Sequence, residues 1–188
     1  MSKRPAVATL AAVSGDPNTP PRYDRRDLKG PFDLIGDVHG CLRELDALLR
    51  KLGYRADRKG VRRHPEGRVA VLLGDIVDRG PAAVKVIERV SSMVRAGTAL
   101  YVPGNHDERL AAFLMGNEVD LAYGLEYTLD QLEALDDAGR DDAVERFLEL
   151  YLEAPPYLWL DGGRLVAVHG GLEERMIGEF DTEIWRFC

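Results

Sequence analysis

Cysteine is scarce in this 188-residue chain: Cys41 and Cys188 are too few and too far apart in sequence to build a disulfide framework. They read as two free thiols of a reducing compartment, so the expected location is the cytoplasm. Long apolar runs are missing as well. The stretch Ala-Val-Ala-Thr-Leu-Ala-Ala-Val at 6–13 resembles a short signal core, yet it falls well below the roughly 18 residues a membrane helix needs. The Gly-Asp-Pro-Asn-Thr-Pro-Pro that follows fits a leader better, and no membrane partner is expected. Positive charge is in deficit overall, with a formal net charge of −7. Residues 69–188 hold 10 Lys+Arg against 23 Asp+Glu, which excludes a general polyanion-binding surface there.

What is present is a globular composition, 45% hydrophobic and 30% charged, in a length that suits one domain. Residues 1–31 carry five prolines and two glycines and read as a flexible leader. Order is expected from Phe32 onward. Phe32–Ile35, Val69–Leu73 and Ala99–Val102 are short apolar runs, each stopped by a glycine or Pro-Gly, and read as buried strands. Leu42, Leu45, Leu48, Leu49 and Leu52 mark a helix ended by Gly53. A second helix opens at Pro81, with Val84, Ile87, Val90 and Val94 inward, and a third carries Leu110, Phe113 and Leu114.

The resulting βαβαβ order predicts an α/β fold with a mostly parallel sheet. Residues 116–153 hold 12 acids against two arginines and read as a helical insert of two amphipathic helices, with Leu125, Leu129, Leu132, Leu135 and then Val144, Phe147, Leu148, Tyr151 inward. Tyr157–Leu160 and Leu165–Val168 form a hairpin about Asp161-Gly162-Gly163, and the second strand delivers His169. The loop at 50–68 is basic, and two readings stay open: a solvated surface, or a patch that meets a phosphorylated or nucleic-acid partner.

In parallel sheets ligands gather beyond the carboxyl ends of the strands. Three glycine-rich motifs lie there: Gly-Asp-Val-His-Gly at 36–40, Gly-Asp-Ile-Val-Asp-Arg-Gly at 74–80 and Gly-Asn-His-Asp-Glu at 104–108. Asp37, His39, Asp75, Asn105 and His169 offer oxygen and imidazole donors, a set suited to manganese, iron, zinc or nickel rather than a soft thiolate-loving metal. Asp75 is placed to bridge two ions, and two ions about 3.5–4 Å apart can share a hydroxide and clamp a displacement at phosphorus. Each of these residues could instead be an ordinary polar strand-end residue, Arg79 a surface ion-pair partner, and His106 and Asp107 helix-capping residues.

Taken together the motifs resemble the PPP branch of the metallophosphoesterase (calcineurin-like) superfamily over about residues 29–172. The wording most resembles the phosphatase module of bacterial polynucleotide kinase-phosphatase, with serine/threonine phosphatases and symmetrical diadenosine tetraphosphatases as relatives. The resemblance implies phosphoester hydrolysis by a hydroxide bridging two divalent ions, manganese first among them. It assigns Asp37, His39 and Asp75 to one ion and Asp75, Asn105 and His169 to the other. It also implies that Arg79 grips the substrate phosphate and that Asn105 and His106 contact it. His106 would assist the leaving group, and Asp107 would orient its imidazole.

Two family features, a late Gly-His histidine and a second phosphate arginine, have no counterpart after His169, where the motif reads His169-Gly170-Gly171. The expectation is therefore a domain over 32–188 that is short at its C-terminus, with part of the second sheet of the sandwich missing. An apolar sheet face would be left open to a second chain. Activity would be impaired, or the chain would be a truncated or degenerate member that binds metal, nucleotide or a partner with little turnover.

Overall fold

The computed structural model describes residues 22–178. Three parallel strands, β2 (Phe32–Ile35), β5 (Val69–Leu72) and β6 (Ala99–Tyr101), form the central sheet. They pair in register, Phe32 to Val69 and Ala70 to Ala99. Helices α1 (Leu42–Leu52) and α2 (Ala83–Arg95) make the crossovers. All three strands therefore point the same way, and the loops after Ile35, Leu72 and Tyr101 meet at one rim, as the motif order predicts.

Successive residues of a strand face opposite ways, and each face has its own core. Ala70 and Leu72 lie in a large cluster with Ile35, Leu45, Leu49, Val86, Ile87, Val90, Met93 and Phe147. The inward face of α2 is thus Ala83, Val86, Ile87, Val90 and Met93, while Val84 and Val94 are only half buried. Val71 faces the other way, with Val102, Leu158, Leu160 and Ala167.

That second core corrects the expectation of an open sheet face. The hairpin of β7 (Tyr157–Leu160) and β8 (Leu165–Val168) lies across it, antiparallel as predicted, and Val71 and Val102 have no exposed surface. What stays uncovered is smaller: Leu34 on β2 is 50% exposed.

Order also begins before Phe32. A strand β1 (Asp24–Arg25) pairs in parallel with β7, Asp24 to Trp159. The Tyr23 ring is buried and stacked on Tyr157 at 4.9 Å. Two residues of strand between charged neighbours carry no periodicity, so only the tertiary pairing makes them legible. The first 21 residues of the expected leader lie outside the described residues.

The acidic segment expected as a helical insert packs into the main core. After α3 (Asn105–Leu114) come α4 (Leu125–Glu133) and α5 (Asp137–Glu153). Asp136 caps α5 by accepting the Gly139 N–H at 2.8 Å. Its Ala143, Phe147 and Leu150 are buried at helical spacing, Phe147 and Leu150 in the main core. On α4 the buried stripe is Leu125, Thr128 and Leu132, one step off the all-leucine stripe expected from sequence. Among the described residues no helix is long and apolar enough to cross a membrane.

The basic stretch forms a small hairpin of β3 (Arg55–Ala56) and β4 (Arg62–Arg63). It follows α1, whose 11 residues run about 16 Å away from the motif rim. Much of its charge is spent internally. Arg62 and Arg89 share Asp46 at 3.3 and 3.2 Å, and Arg63 meets Asp57 at 2.9 Å. Arg68 takes Asp33 with two N–H groups, one of them at 2.9 Å, and Tyr54 donates to the same carboxylate at 3.0 Å. His64, read from sequence as plain surface, faces the Leu52 carbonyl at 3.1 Å through Nε2 and steadies the end of α1. The hairpin thus joins the far ends of the strands, at a distance from the motif rim.

Candidate active site

Three loops interlock to form the rim. Gly74 has φ 84, and a side chain on it would strike the backbone of Gly104. A side chain on Gly104 would in turn strike the Asp75 carboxylate. The glycines of two motifs therefore let Asp75 seat itself against the start of α3, where it accepts the His106 N–H at 3.0 Å. His39, Asp75, Asp78 and Arg79 all hold positive φ (44, 50, 67 and 60). Such backbone is uncommon for these residue types and clusters where surrounding structure dictates the placement of side chains.

Asp75 is the centre of the arrangement and is 4% exposed. Its Oδ2 lies 3.7 Å from His39 Nε2 and its Oδ1 lies 3.6 Å from His169 Nε2. These separations are too long for hydrogen bonds and suit donors that share an ion. Each histidine directs its Nδ1 to a backbone carbonyl, His39 to Val77 at 3.0 Å and His169 to Leu73 at 2.6 Å. An Nδ1–H donated there leaves an Nε2 lone pair pointing inward on both rings.

Two further observations fit divalent cations. His39 Nε2 is buried and has no hydrogen-bond partner among the described residues. His169 Nε2 faces the Asn105 Oδ1 at 3.3 Å, one acceptor against another. Asp37 closes the ring, with Oδ2 at 3.7 Å from His39 Nε2. Asp37, Asp75 and His169 form one group of donor atoms within 4.8 Å of one another, and His39, Asp75 and His106 form a second. All five residues expected as metal ligands thus converge at the rim.

His106 is 2% exposed and held at both ring nitrogens. Arg79 Nη2 lies 2.9 Å from Nε2, and as Arg79 can only donate, Nε2 accepts. Nδ1 therefore carries the proton and donates to Asp78 Oδ2 at 2.7 Å. Asp78 has no exposed surface; its Oδ1 accepts the Thr128 hydroxyl at 2.8 Å, and its N–H donates back to Thr128 Oγ at 2.9 Å. The orienting carboxylate is Asp78, which corrects the expected role of Asp107.

The Asp107 carboxylate instead accepts the N–H groups of Ile76 at 3.0 Å and Gly104 at 2.9 Å, tying the second and third motif loops together. Burial pushes its carboxyl up to about 6, and the nearby Asp75 charge adds to that, while the Gly104 and Ile76 N–H groups and the Tyr101 hydroxyl oppose it. A helix residue two positions past a ligand points away from the rim, so adjacency in sequence misled here. Asp78 was visible inside the second motif but carries no mark distinguishing it from a turn residue. Thr128 lies 50 residues later on α4 and could not be linked to it by spacing.

A family model described as "Calcineurin-like phosphoesterase" matches residues 30–186. The bis(5'-nucleosyl)-tetraphosphatase PrpE [asymmetrical] of Halalkalibacterium halodurans is 44% identical over 156 residues, covering 83% of this chain and 63% of that protein. The protein of the same name from Bacillus subtilis is 42% identical over 156 residues, 83% of this chain and 64% of its own length. The chain therefore spans a little under two thirds of the length of these relatives. A protein serine/threonine phosphatase from Saccharomyces cerevisiae shares the fold at a TM-score of 0.55 and 20% identity, covering 87% of this chain and 45% of that one.

Proposed function

The chain belongs to the calcineurin-like phosphoesterase family, and from that premise we propose that it is a cytoplasmic, divalent-metal-dependent hydrolase of nucleotide phosphates, with dinucleoside tetraphosphates as the substrate class. The observation that carries this reading is the Asp75 carboxylate, spread between the Nε2 atoms of His39 and His169 at 3.7 and 3.6 Å. In this reading Asp37, His39, Asp75, Asn105 and His169 hold two ions, manganese foremost. When bound, such ions supply a nucleophile at neutral pH and neutralise charge on the phosphate. The substrate class comes from the name of the relatives, bis(5'-nucleosyl)-tetraphosphatase, at 44% and 42% identity.

The chain's own residues do the rest. Arg79 stands at the rim with its fork against His106 Nε2, and a phosphate group replaces that contact with paired N–H donors. Releasing His106 Nε2 lets it take a proton from solvent. The buried Asp78 charge on Nδ1 stabilises the resulting imidazolium. As the new P–O bond forms and the old one breaks, His106 Nε2 gives that proton to the departing phosphate oxygen.

The test is hydrolysis of a dinucleoside tetraphosphate by the full chain with Mn²⁺. The expected products are a nucleoside triphosphate and a monophosphate in equal amounts. Arg79→Ala removes a charge-assisted contact of about 2–3 kcal/mol and should lower kcat/KM roughly 30- to 150-fold. No metal-dependent turnover of this substrate by the unaltered chain would overturn the reading.

A further inference from the structure

Beside Arg79 the chain presents aromatic surface that the chemistry above does not use. Tyr123 is 68% exposed, and Leu121 and Tyr127 are each 54% exposed. Residues 122–124 are held as a unit by two arginines, Arg109 and Arg79. Arg109 Nη1 donates to the Ala122 carbonyl at 3.3 Å. Arg79 Nε donates to the Tyr123 carbonyl at 3.4 Å, and the Arg79 N–H donates to the Gly124 carbonyl at 3.2 Å.

Tyr123 itself has φ 63, a backbone state that bulky residues seldom adopt. The Tyr123 side chain stands largely in solvent on this turn. The ring is not loose, however. The Arg109 guanidinium carbon lies 4.9 Å from its centroid, backing one face with a cation. The outcome is a braced aromatic plane whose own backbone is hydrogen-bonded to the phosphate-gripping guanidinium.

We propose that Tyr123, backed by Arg109, is the stacking platform for the nucleobase next to the phosphate held by Arg79. This deepens the nucleotide reading given above and rests on it. A base has a flat π face whatever its identity, so a single aromatic plane binds it with little sequence preference. A phosphate ester lacking a base gains nothing from this surface. Tyr123 therefore sets specificity among phosphate esters and takes no part in bond breaking.

The experiment compares binding of adenosine monophosphate and of inorganic phosphate to the Mn²⁺-loaded full chain by titration calorimetry. Three forms are compared: unaltered, Tyr123→Phe and Tyr123→Asn. Asparagine tolerates the left-handed backbone, so it removes the ring without straining the turn. The unaltered chain and Tyr123→Phe should bind the nucleotide more tightly than phosphate, and Tyr123→Asn should lose about tenfold for the nucleotide with phosphate unchanged. Equal affinity of the unaltered chain for both ligands, or a parallel loss of both in Tyr123→Asn, would overturn the platform. A base-dependent affinity in a chain that fails to cleave dinucleoside tetraphosphates would sink the substrate reading and leave the platform standing.

Discussion

Asp78→Asn tests the proton-transfer arm of the site without changing its shape. Both carboxylate oxygens act as acceptors, Oδ2 toward His106 Nδ1 at 2.7 Å and Oδ1 toward the Thr128 hydroxyl at 2.8 Å. An amide has one acceptor to divide between them. With its oxygen on His106, its NH2 meets a hydroxyl that already accepts the residue's own N–H at 2.9 Å, and the hydroxyl proton loses its acceptor. With its NH2 on His106, the ring proton moves to Nε2, where it opposes the Arg79 donor at 2.9 Å. Either way a charge-assisted hydrogen bond in a fully buried position is lost, worth about 1.5–3 kcal/mol. That corresponds to a fall in kcat of roughly 10- to 150-fold.

The decisive assay is steady-state hydrolysis at saturating Mn²⁺ of two phosphomonoesters, one with an alkyl leaving group and one with p-nitrophenol. A residue that supports protonation of the departing oxygen matters more for the alkyl ester, so the loss should be larger there. Thr128→Val removes the hydroxyl that donates to Asp78 Oδ1 and accepts the Asp78 N–H, leaving that buried N–H unpaired, and should cost about 1.5–3 kcal/mol, roughly 10- to 150-fold if it is felt in kcat. Unchanged kcat on the alkyl ester in a folded Asp78→Asn chain would refute the role. Equal losses on the two esters would assign Asp78 to positioning alone.

Two other outcomes follow from the structure. Asp75→Asn should abolish the rise in melting temperature caused by Mn²⁺, which for the unaltered chain corresponds to about 2.7 kcal/mol at a metal concentration 100 times its Kd; a full metal-induced shift in the variant would refute the shared-carboxylate reading. Asp33→Asn should destabilise the fold at pH 7 by on the order of 1 kcal/mol, because the amide keeps one acceptor for Arg68 and Tyr54 to share but loses the charge that faces the guanidinium. The Arg68 guanidinium holds the Asp33 carboxyl below its usual range, with the Tyr54 hydroxyl assisting and burial opposing. A folded-state pKa that is depressed contributes stability above the unfolded value near 4 and loses it as pH falls further. The gap between the two chains in urea melts should therefore narrow below about pH 4, and a gap constant from pH 7 to pH 3 would count against the ion pair.

The strand–glycine junctions at Gly36, Gly74 and Gly104 were legible because three properties coincide there: an apolar run, a stop and a metal-binding residue type. Parallel topology then brings Asp37, His39, Asp75 and Asn105 to one rim with no further information. His169 was legible for the same reason, at the end of a hairpin announced by Asp161-Gly162-Gly163. Asp107 was misassigned because helical geometry turns it from His106 toward the loop amides, a matter of direction that adjacency does not encode. Thr128 occupies a core-facing position of α4 where an apolar residue is the default expectation, and its polarity signals a buried partner only once Asp78 is seen across from it. The ion pairs of the basic hairpin were not legible for another reason: Asp33, Asp46 and Asp57 face Arg68, Arg62 and Arg63, and two of those three acids lie outside the basic stretch.

The pairing of Asp24 and Arg25 with Trp159 and Leu160 has a consequence for how the molecule comes to be. Among the described residues the first strand waits for one of the last, across a sequence separation of about 135 residues. During synthesis at roughly 5–20 residues per second, Asp37, His39, Asp75 and Asn105 emerge and can collapse around the central sheet about 3–13 s before the β7–β8 hairpin is made. That hairpin brings two things at once, the partner for β1 and the imidazole of His169. A ribosome-bound chain thus presents Asp37, His39, Asp75 and Asn105 before His169 can join them, and contacts so distant in sequence are the slow ones to form.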